Sequence, residues 1–222
     1  NLDPLKTPLT DYTIGIDTTE KMIAKMQEKP WPIYKIKVGT EGDLERLHAL
    51  RQHTDALIRV DANSGWTFDE AMAKIPLFKE AGVELIEQPL QKDDWDGMKK
   101  LFASSPLPLI ADESCVSEND VEKCAGHFHG INIKLTKCGG ITPAIKMIKK
   151  ARELGLKVMI GCMNETTIGS AAIAHLSPFI DYMYAYGPLL LEEDLATGLT
   201  YEFGKISLSQ KPGLGIELIN PF

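Results

Sequence analysis

The chain is short of cysteine: there are four in 222 residues, Cys115, Cys124, Cys138 and Cys162. No two form a C-x-x-C pair and their spacing matches no zinc pattern. They read as reduced thiols of a cytoplasmic protein, not as a disulfide or zinc framework. Long apolar runs are also missing. None approaches the roughly 20 residues that a bilayer-spanning helix needs, which excludes a helical membrane protein. There is no basic excess. With 24 Lys and Arg against 31 Asp and Glu, the net charge is −7. That argues against nucleic acid or an anionic membrane as partner. No G-x-G-x-x-G follows the first strand candidate, which removes the dinucleotide-binding type of open sheet. No low-complexity tract or internal linker interrupts the chain. Asn1-Leu2-Asp3-Pro4 holds neither an initiator Met nor a basic or apolar leader. No signal peptide is therefore expected, and the chain reads as processed or as a piece of something longer.

What remains is an ordinary globular mix, 44% hydrophobic and 25% charged, long enough for one sizeable core. Short apolar runs alternate with amphipathic stretches. The runs Tyr12–Ile16, Tyr34–Val38, Leu57–Val60, Leu85–Ile86, Leu109–Ala111, Ile131–Leu135, Lys157–Ile160 and Met183–Tyr186 predict eight strands covered on both faces. The stretches Thr19–Gln27, Asp43–His53, Phe68–Glu80, Trp95–Phe102, Glu118–Cys124, Thr142–Leu154 and Thr166–Leu176 predict seven helices. Thr67 with Glu70 makes a capping box, and Gly82 and Gly155 mark helix ends. Strict alternation implies a parallel sheet, and the count predicts a closed (β/α)7β barrel, a modified TIM barrel. The expected division is a barrel over 1–187 and a tail over 188–222 that packs beside it.

Active sites of such barrels lie at the C-terminal ends of the strands. Strand 3 ends at Asp61, strand 4 at Glu87 and strand 5 at Asp112, so the carboxylates recur at intervals of 26 and 25 residues. Each interval is one βα unit, so all three face one mouth. Clustered carboxylates repel and take up protons unless a cation is bound. A hard, oxygen-only donor set suits one Mg²⁺ per chain with positions open to substrate. Lys37 lies one unit before Asp61, and Lys134 lies 22 residues after Asp112. The order Lys, Asp, Glu, Asp, Lys puts an amine on either side of the metal. One lysine removes the α-proton of a metal-held carboxylate substrate, and the other reprotonates the opposite face. Lys35 and Lys37 are two apart on one strand and point the same way. Their repulsion, with the metal, is expected to lower the pKa of Lys37.

Other features have duller explanations. Cys138-Gly139-Gly140 suits a tight βα turn better than a phosphate cradle. His127-Phe128-His129 falls at the far end of the barrel and reads as a loop. His48, His53 and His175 read as helix residues, Trp31 and Trp66 as packing residues, and Glu113 as a neighbour of the site and not a ligand.

The motifs Asp11-Tyr12-Thr13, Lys35-Ile36-Lys37-Val38-Gly39, Asp61-Ala62-Asn63-Ser64-Gly65-Trp66, Ile86-Glu87-Gln88-Pro89 and Ala111-Asp112-Glu113-Ser114 span the first five strands. Asn132-Ile133-Lys134, Gly161-Cys162-Met163-Asn164-Glu165-Thr166 and Lys211-Pro212-Gly213-Leu214-Gly215-Ile216 complete the set. Together they resemble the enolase superfamily, in its muconate-cycloisomerase-like branch, and within it the dipeptide epimerases of the L-Ala-D/L-Glu type. The resemblance implies Asp61, Glu87 and Asp112 as Mg²⁺ ligands, and Lys37 and Lys134 as the acid/base pair. It implies that Lys35 meets the substrate carboxylate and tunes Lys37. Thr13, Asn63, Cys162, Met163 and Asn164 would line the substrate site.

Two departures stand out. The family carries an N-terminal capping domain over the mouth, whereas this sequence starts at the first barrel strand. Dipeptide epimerases also end strand 8 with Asp-x-Asp, which holds the substrate ammonium; here Tyr184 and Tyr186 stand in its place. Tyrosine offers a ring face or a hydroxyl but no charge. A dipeptide in a different amine environment, or an N-acylated amino acid, is therefore the expected substrate, unless the tyrosines only pack the barrel. The same metal and lysines serve cycloisomerisation, o-succinylbenzoate synthesis and N-acylamino acid racemisation, which stay open as same-fold alternatives. A non-catalytic binding module is the alternative from another class, and the intact five-residue set speaks against it. A homo-oligomer is compatible with the sequence.

Overall fold

The computed structural model describes residues 7–219; residues 1–6, with the Asn1-Leu2-Asp3-Pro4 run, and 220–222 lie outside the described residues. Eight parallel strands follow in chain order: β1 (Tyr12–Ile14), β2 (Ile33–Lys37), β3 (Leu57–Asp61), β4 (Val83–Glu87), β5 (Leu109–Ala111), β6 (Gly130–Lys134), β7 (Lys157–Gly161) and β8 (Tyr182–Tyr184). A bridge between Thr10 and Met183 brings the last strand back to the first and closes the barrel. The outer ring is α1 (Thr19–Glu28), α2 (Asp43–Arg51), α3 (Phe68–Glu80), α4 (Trp95–Ser104), α5 (Val121–Cys124), α6 (Leu135–Cys138), α7 (Ile141–Glu153) and α8 (Thr167–Leu176). Among the described residues no helix is long and apolar enough to cross a membrane.

The pleat explains the division of labour. Alternate residues of β3 point to opposite sides. Ile58 and Val60 join the buried apolar shell with Leu47, Leu50, Ile75 and Phe78, while Arg59 and Asp61 point into the barrel. Each aliphatic side chain buried in that shell contributes on the order of 1.5–3 kcal/mol, so the shell carries the fold and the interior is free to hold charge. Arg59 fills the lower interior. Its Nη1 donates to Asp11 Oδ2 at 3.1 Å, its Nε donates to Glu84 Oε2 at 2.7 Å, and its guanidinium lies over the Tyr182 ring.

The local signals act as the sequence suggests. Thr67 and Glu70 form the reciprocal capping box of α3. Gly82 and Gly155 take the left-handed conformation at the helix ends. Gly139 and Gly140 are also left-handed and make a turn between α6 and α7. Trp31 and Trp66 are buried in the apolar shell. The differences lie at boundaries. Strand 8 stops at Tyr184, so Tyr186 sits beyond it. The Glu118–Cys124 stretch is a 3-10 turn over Glu118–Asp120 followed by the short α5. The four-residue α6 directly after β6 has no counterpart in the sequence expectation, because one turn is too short to show a period.

Beyond β8, a hairpin of β10 (Leu199–Glu202) and β11 (Lys205–Leu208) and a pair of β9 (Ala196–Thr197) with β12 (Glu217–Leu218) lie against the barrel. The Tyr201 hydroxyl donates to Ala185 O at 2.8 Å, and the Thr10 N–H donates to Gly204 O at 2.8 Å.

Asp181 knits β7 to β8 at the bottom of the barrel. It accepts from Val158 N at 2.8 Å and Arg152 Nη1 at 2.6 Å. Burial alone would raise its pKa, but the Val158 N–H and the Arg152 guanidinium outweigh that and hold it below the ordinary 3.8. The ionised carboxylate therefore stabilises the fold above that ordinary value, and the contribution is lost as pH falls through the lower folded value. Asp181→Asn is expected to lower stability at neutral pH by about 1 kcal/mol. Urea midpoints across a pH series should show the gap to the native protein closing on acidification.

Candidate functional site

The polar interior lies at the C-terminal ends of the strands. Asp61, Glu87 and Asp112 are all fully buried. Strand pairing places Lys37 opposite Asp61 and Asp61 opposite Glu87, so these three are level. Asp112 is not level with them: Glu87 pairs with Ile110, which sets Asp112 one pleat higher. Ala111 pairs with Ile131, which raises Lys134 by a further pleat. This stagger is the shear that a tilted barrel requires, and equal spacing in sequence does not reveal it.

Four amines reach the three carboxylates. Lys35 Nζ lies 2.9 Å from Asp61 Oδ2 and 2.6 Å from Glu87 Oε2. Lys37 Nζ donates to Asp61 Oδ2 at 2.7 Å and to Asn63 Oδ1 at 2.7 Å. On the other side of the mouth, Lys134 Nζ donates to Asp112 Oδ2 at 2.6 Å and Lys137 Nζ to Asp112 Oδ1 at 2.9 Å. The five residues of the sequence pattern thus converge, with Lys37 and Lys134 on opposite flanks.

The electrostatics are uneven. Burial opposes the charge on Asp61, but Lys35 and Lys37 outweigh it and hold that carboxyl below the usual range. Burial and the charge of Asp61 push Glu87 up to about 7. Burial works against the ammonium of Lys35, yet Asp61 and Glu87 raise its pKa well above the ordinary value. Lys134 is raised in the same way: burial is outweighed by Asp112 and Glu87.

These facts bear on a metal. Among the described residues, no three His, Cys, Asp or Glu side chains are gathered closely enough to form a ready-made cage. The Lys35 amine stands between Asp61 and Glu87 instead, and Lys134 and Lys137 hold Asp112. The donor set still fits a hard cation. It is all oxygen and buried, Glu87 Oε2 accepts no hydrogen bond of sound geometry, and Glu87 takes its charge only reluctantly without more positive charge beside it.

The residues expected to meet substrate divide into two groups. Asn63, Met163 and Asn164 are exposed at the mouth. Thr13, Lys35, Cys162, Tyr184 and Tyr186 are buried around its floor. Lys35 turns its amine onto the carboxylates and sits 4.0 Å over the centre of the Tyr184 ring. The Tyr184 hydroxyl donates to the Cys162 carbonyl. Tyr186 packs on Tyr12 at 5.3 Å and on Tyr184 at 5.8 Å between ring centres. Glu113 meets Asn63, whose Nδ2 donates to Glu113 Oε1 at 3.4 Å. His129 Nδ1 accepts from Leu109 N in the β5–β6 connection, away from the mouth.

Three residues with a place in the site carried no assignment from sequence. Asn132 Nδ2 donates to Glu87 Oε1 at 2.8 Å. Its signal was present: it stands two before Lys134 on one strand, hence on the same side. Gln88, left-handed at φ 36°, accepts from Asp112 N and Ser114 N and ties β4 to β5. Lys137 arrives on α6. For these two no local pattern announces the contact.

The enolase C-terminal domain-like family model matches residues 18–221. The chain is 53% identical over 214 residues to the L-Ala-D/L-amino acid epimerase of Flavobacterium johnsoniae, covering 96% of this chain and 64% of that protein. A substrate-liganded L-Ala-D/L-Glu epimerase from Bacillus subtilis superposes with a TM-score of 0.89 at 35% identity, over 95% of this chain and 63% of that one. A dipeptide epimerase from Cytophaga hutchinsonii, complexed with Mg and D-Ala-L-Val, also gives 0.89, at 31% identity, over 96% and 62%. The chain therefore spans less than two thirds of the length of these relatives.

Asn132→Leu would leave a buried Glu87 oxygen without its donor. Thermal unfolding of the metal-free protein should show a loss of about 1–3 kcal/mol, with the barrel's circular dichroism unchanged at low temperature.

Proposed function

The chain belongs to the enolase C-terminal domain-like family, and from that premise we propose that it carries the proton-transfer site of a Mg²⁺-dependent dipeptide epimerase. The observation that carries this is the convergence of Lys37, Asp61, Glu87, Asp112 and Lys134 on one mouth with the two amines on opposite flanks. The names of the similar proteins support the substrate class. Their greater length fits a capping domain that lies outside this chain.

Asp61, Glu87 and Asp112 would hold the cation. When bound, it supplies positive charge beside the substrate carboxylate, where negative charge grows as the α-proton leaves. The chain's own residues do the rest. Lys37 as a neutral amine takes the α-proton from one face of the substrate. Lys134 as an ammonium returns a proton to the opposite face. In the reverse direction their duties exchange. Asn63 accepts from Lys37 and so aims its nitrogen lone pair. Lys35, paired with Asp61 and Glu87, keeps positive charge at the floor of the mouth. Thr13, Cys162, Met163 and Asn164 shape the substrate side. In this reading residues 1–187 are the catalytic barrel and 188–222 its packing tail, and the four free cysteines suit a cytoplasmic setting.

A second reading is favoured by Tyr184 and Tyr186. Neither supplies a charge for a substrate ammonium, and the Tyr184 ring face and hydroxyl are already engaged by Lys35 and Cys162. An N-acylated amino acid would need no such counter-charge.

Each lysine is expected to control exchange at one face. In the full-length protein with Mg²⁺, Lys37→Ala should still wash solvent deuterium into one epimer of a dipeptide, and Lys134→Ala into the other. Normal exchange of both epimers by either variant would remove the two-base assignment. Mg²⁺ should raise the melting temperature of the native protein by selective binding to the folded state, and the Asp61→Asn variant should lose that rise. Epimerisation rates over free and N-acylated dipeptides separate the two substrate readings; clear preference for L-Ala-L-Glu with a free amine counts against the second.

A further inference from the structure

Asp43 is a buried carboxylate that the proton-transfer chemistry does not use. It opens α2, its side chain is fully buried, and it lies outside the ring of site residues. Its Oδ2 accepts from the Gly39 N–H at 3.0 Å and from the Thr40 N–H at 3.2 Å, just after Lys37 at the end of β2. The same oxygen accepts from Trp66 Nε1 at 3.2 Å, just after Asp61 and Asn63 at the end of β3. Two cations complete the set: Arg46 Nη2 is 2.7 Å from Oδ1, and Lys74 Nζ, from α3, is 3.4 Å from Oδ2. Such a burial of charge is costly unless it is paired and hydrogen-bonded, and here it is both.

The two loops that this carboxylate joins touch backbone to backbone. A Cβ on Gly65 would lie 2.8 Å from Gly39 Cα, and one on Gly39, at φ +115°, would lie 2.9 Å from Ala62 O. Between them the chain is held in sparsely populated conformations, with Asn63 at φ 45° and Ser64 at φ 63°. Backbone of that kind persists only where its surroundings over-determine it. The amide of Asn63 is what Lys37 Nζ bonds besides Asp61. The place of the Lys37 amine therefore depends on the relative setting of the β2 and β3 loops, and among the described residues Asp43 makes no direct hydrogen bond or ion pair with Asp112, Lys134 or Lys137.

We propose that Asp43 is a positioning residue: by clamping the loops after β2 and β3 together through Gly39, Thr40 and Trp66, it sets the Lys37 amine against the substrate without touching either. This rests on the two-lysine assignment above and adds to it a residue that acts on one face only.

The test uses Asp43→Asn and Trp66→Phe in the full-length protein with Mg²⁺. The second variant deletes the indole N–H together with part of a buried ring that packs on Phe78, so it is read by the ratio of the two exchange rates and not by overall activity. Native protein must first exchange both epimers with solvent deuterium, and Lys134→Ala identifies the epimer served by Lys37. In both clamp variants, exchange of that epimer should fall on the order of tenfold to a hundredfold. Exchange of the epimer served by Lys134 should stay near native, and KM should change little. The double variant should be no worse than the more damaging single one. An equal fall for both epimers, or none, would overturn the clamp while leaving the two-lysine mechanism standing. Absence of exchange in the native protein would overturn both. If Asp43→Asn unfolds, Trp66→Phe alone decides, since the ratio of the two exchange rates is independent of how much protein is folded.

Discussion

Three carboxylates that cannot reach water share one end of a barrel, and the rest of the structure answers their charge. Asp61, Glu87 and Asp112 are fully buried, so each needs a positive partner or a proton. Four lysines supply the partners from β2, β6 and α6. Glu87, with only part of Lys35, is the least satisfied of the three. In the proposed reading a divalent cation takes over part of the work that these four amines do on the three carboxylates.

The barrel makes this tolerable because its stability comes from elsewhere. The apolar faces of the strands meet the helices in a continuous shell that includes Ile58, Val60, Ile75, Phe78, Ile131 and Val158. The inward-facing residues of the same strands are released from that duty. Alternation along a strand thus separates the residues of the apolar shell from the polar ones of the interior. Lys35 and Lys37, Arg59 and Asp61, and Asn132 and Lys134 are three instances of one pattern.

Much of this was legible in the sequence, for definite reasons. Period, caps and glycine stops gave the strand and helix order, because each is a local property of the chain. The recurrence of acids at the ends of β3, β4 and β5 was legible because each βα unit has nearly the same length. The stagger of Asp112 and Lys134 was not, since shear belongs to the closed sheet and not to any one strand. Gln88 and Lys137 escaped for the same reason: their partners, Asp112 and Ser114, lie more than twenty residues away. Asn132 was within reach and went unassigned. Tyr184 and Tyr186 stand out in the sequence as a departure, but the engagement of Tyr184 with Lys35 and the Cys162 carbonyl is a fact of packing alone.

Arg59 has a consequence for traffic. With Asp11, Glu84 and Tyr182 it stoppers the lower half of the barrel. The lower interior is therefore filled, and the buried lysines and carboxylates lie at the opposite, C-terminal end of the strands. If the proposed chemistry runs there, an element that covers that end would govern reactant entry and isotope leakage together.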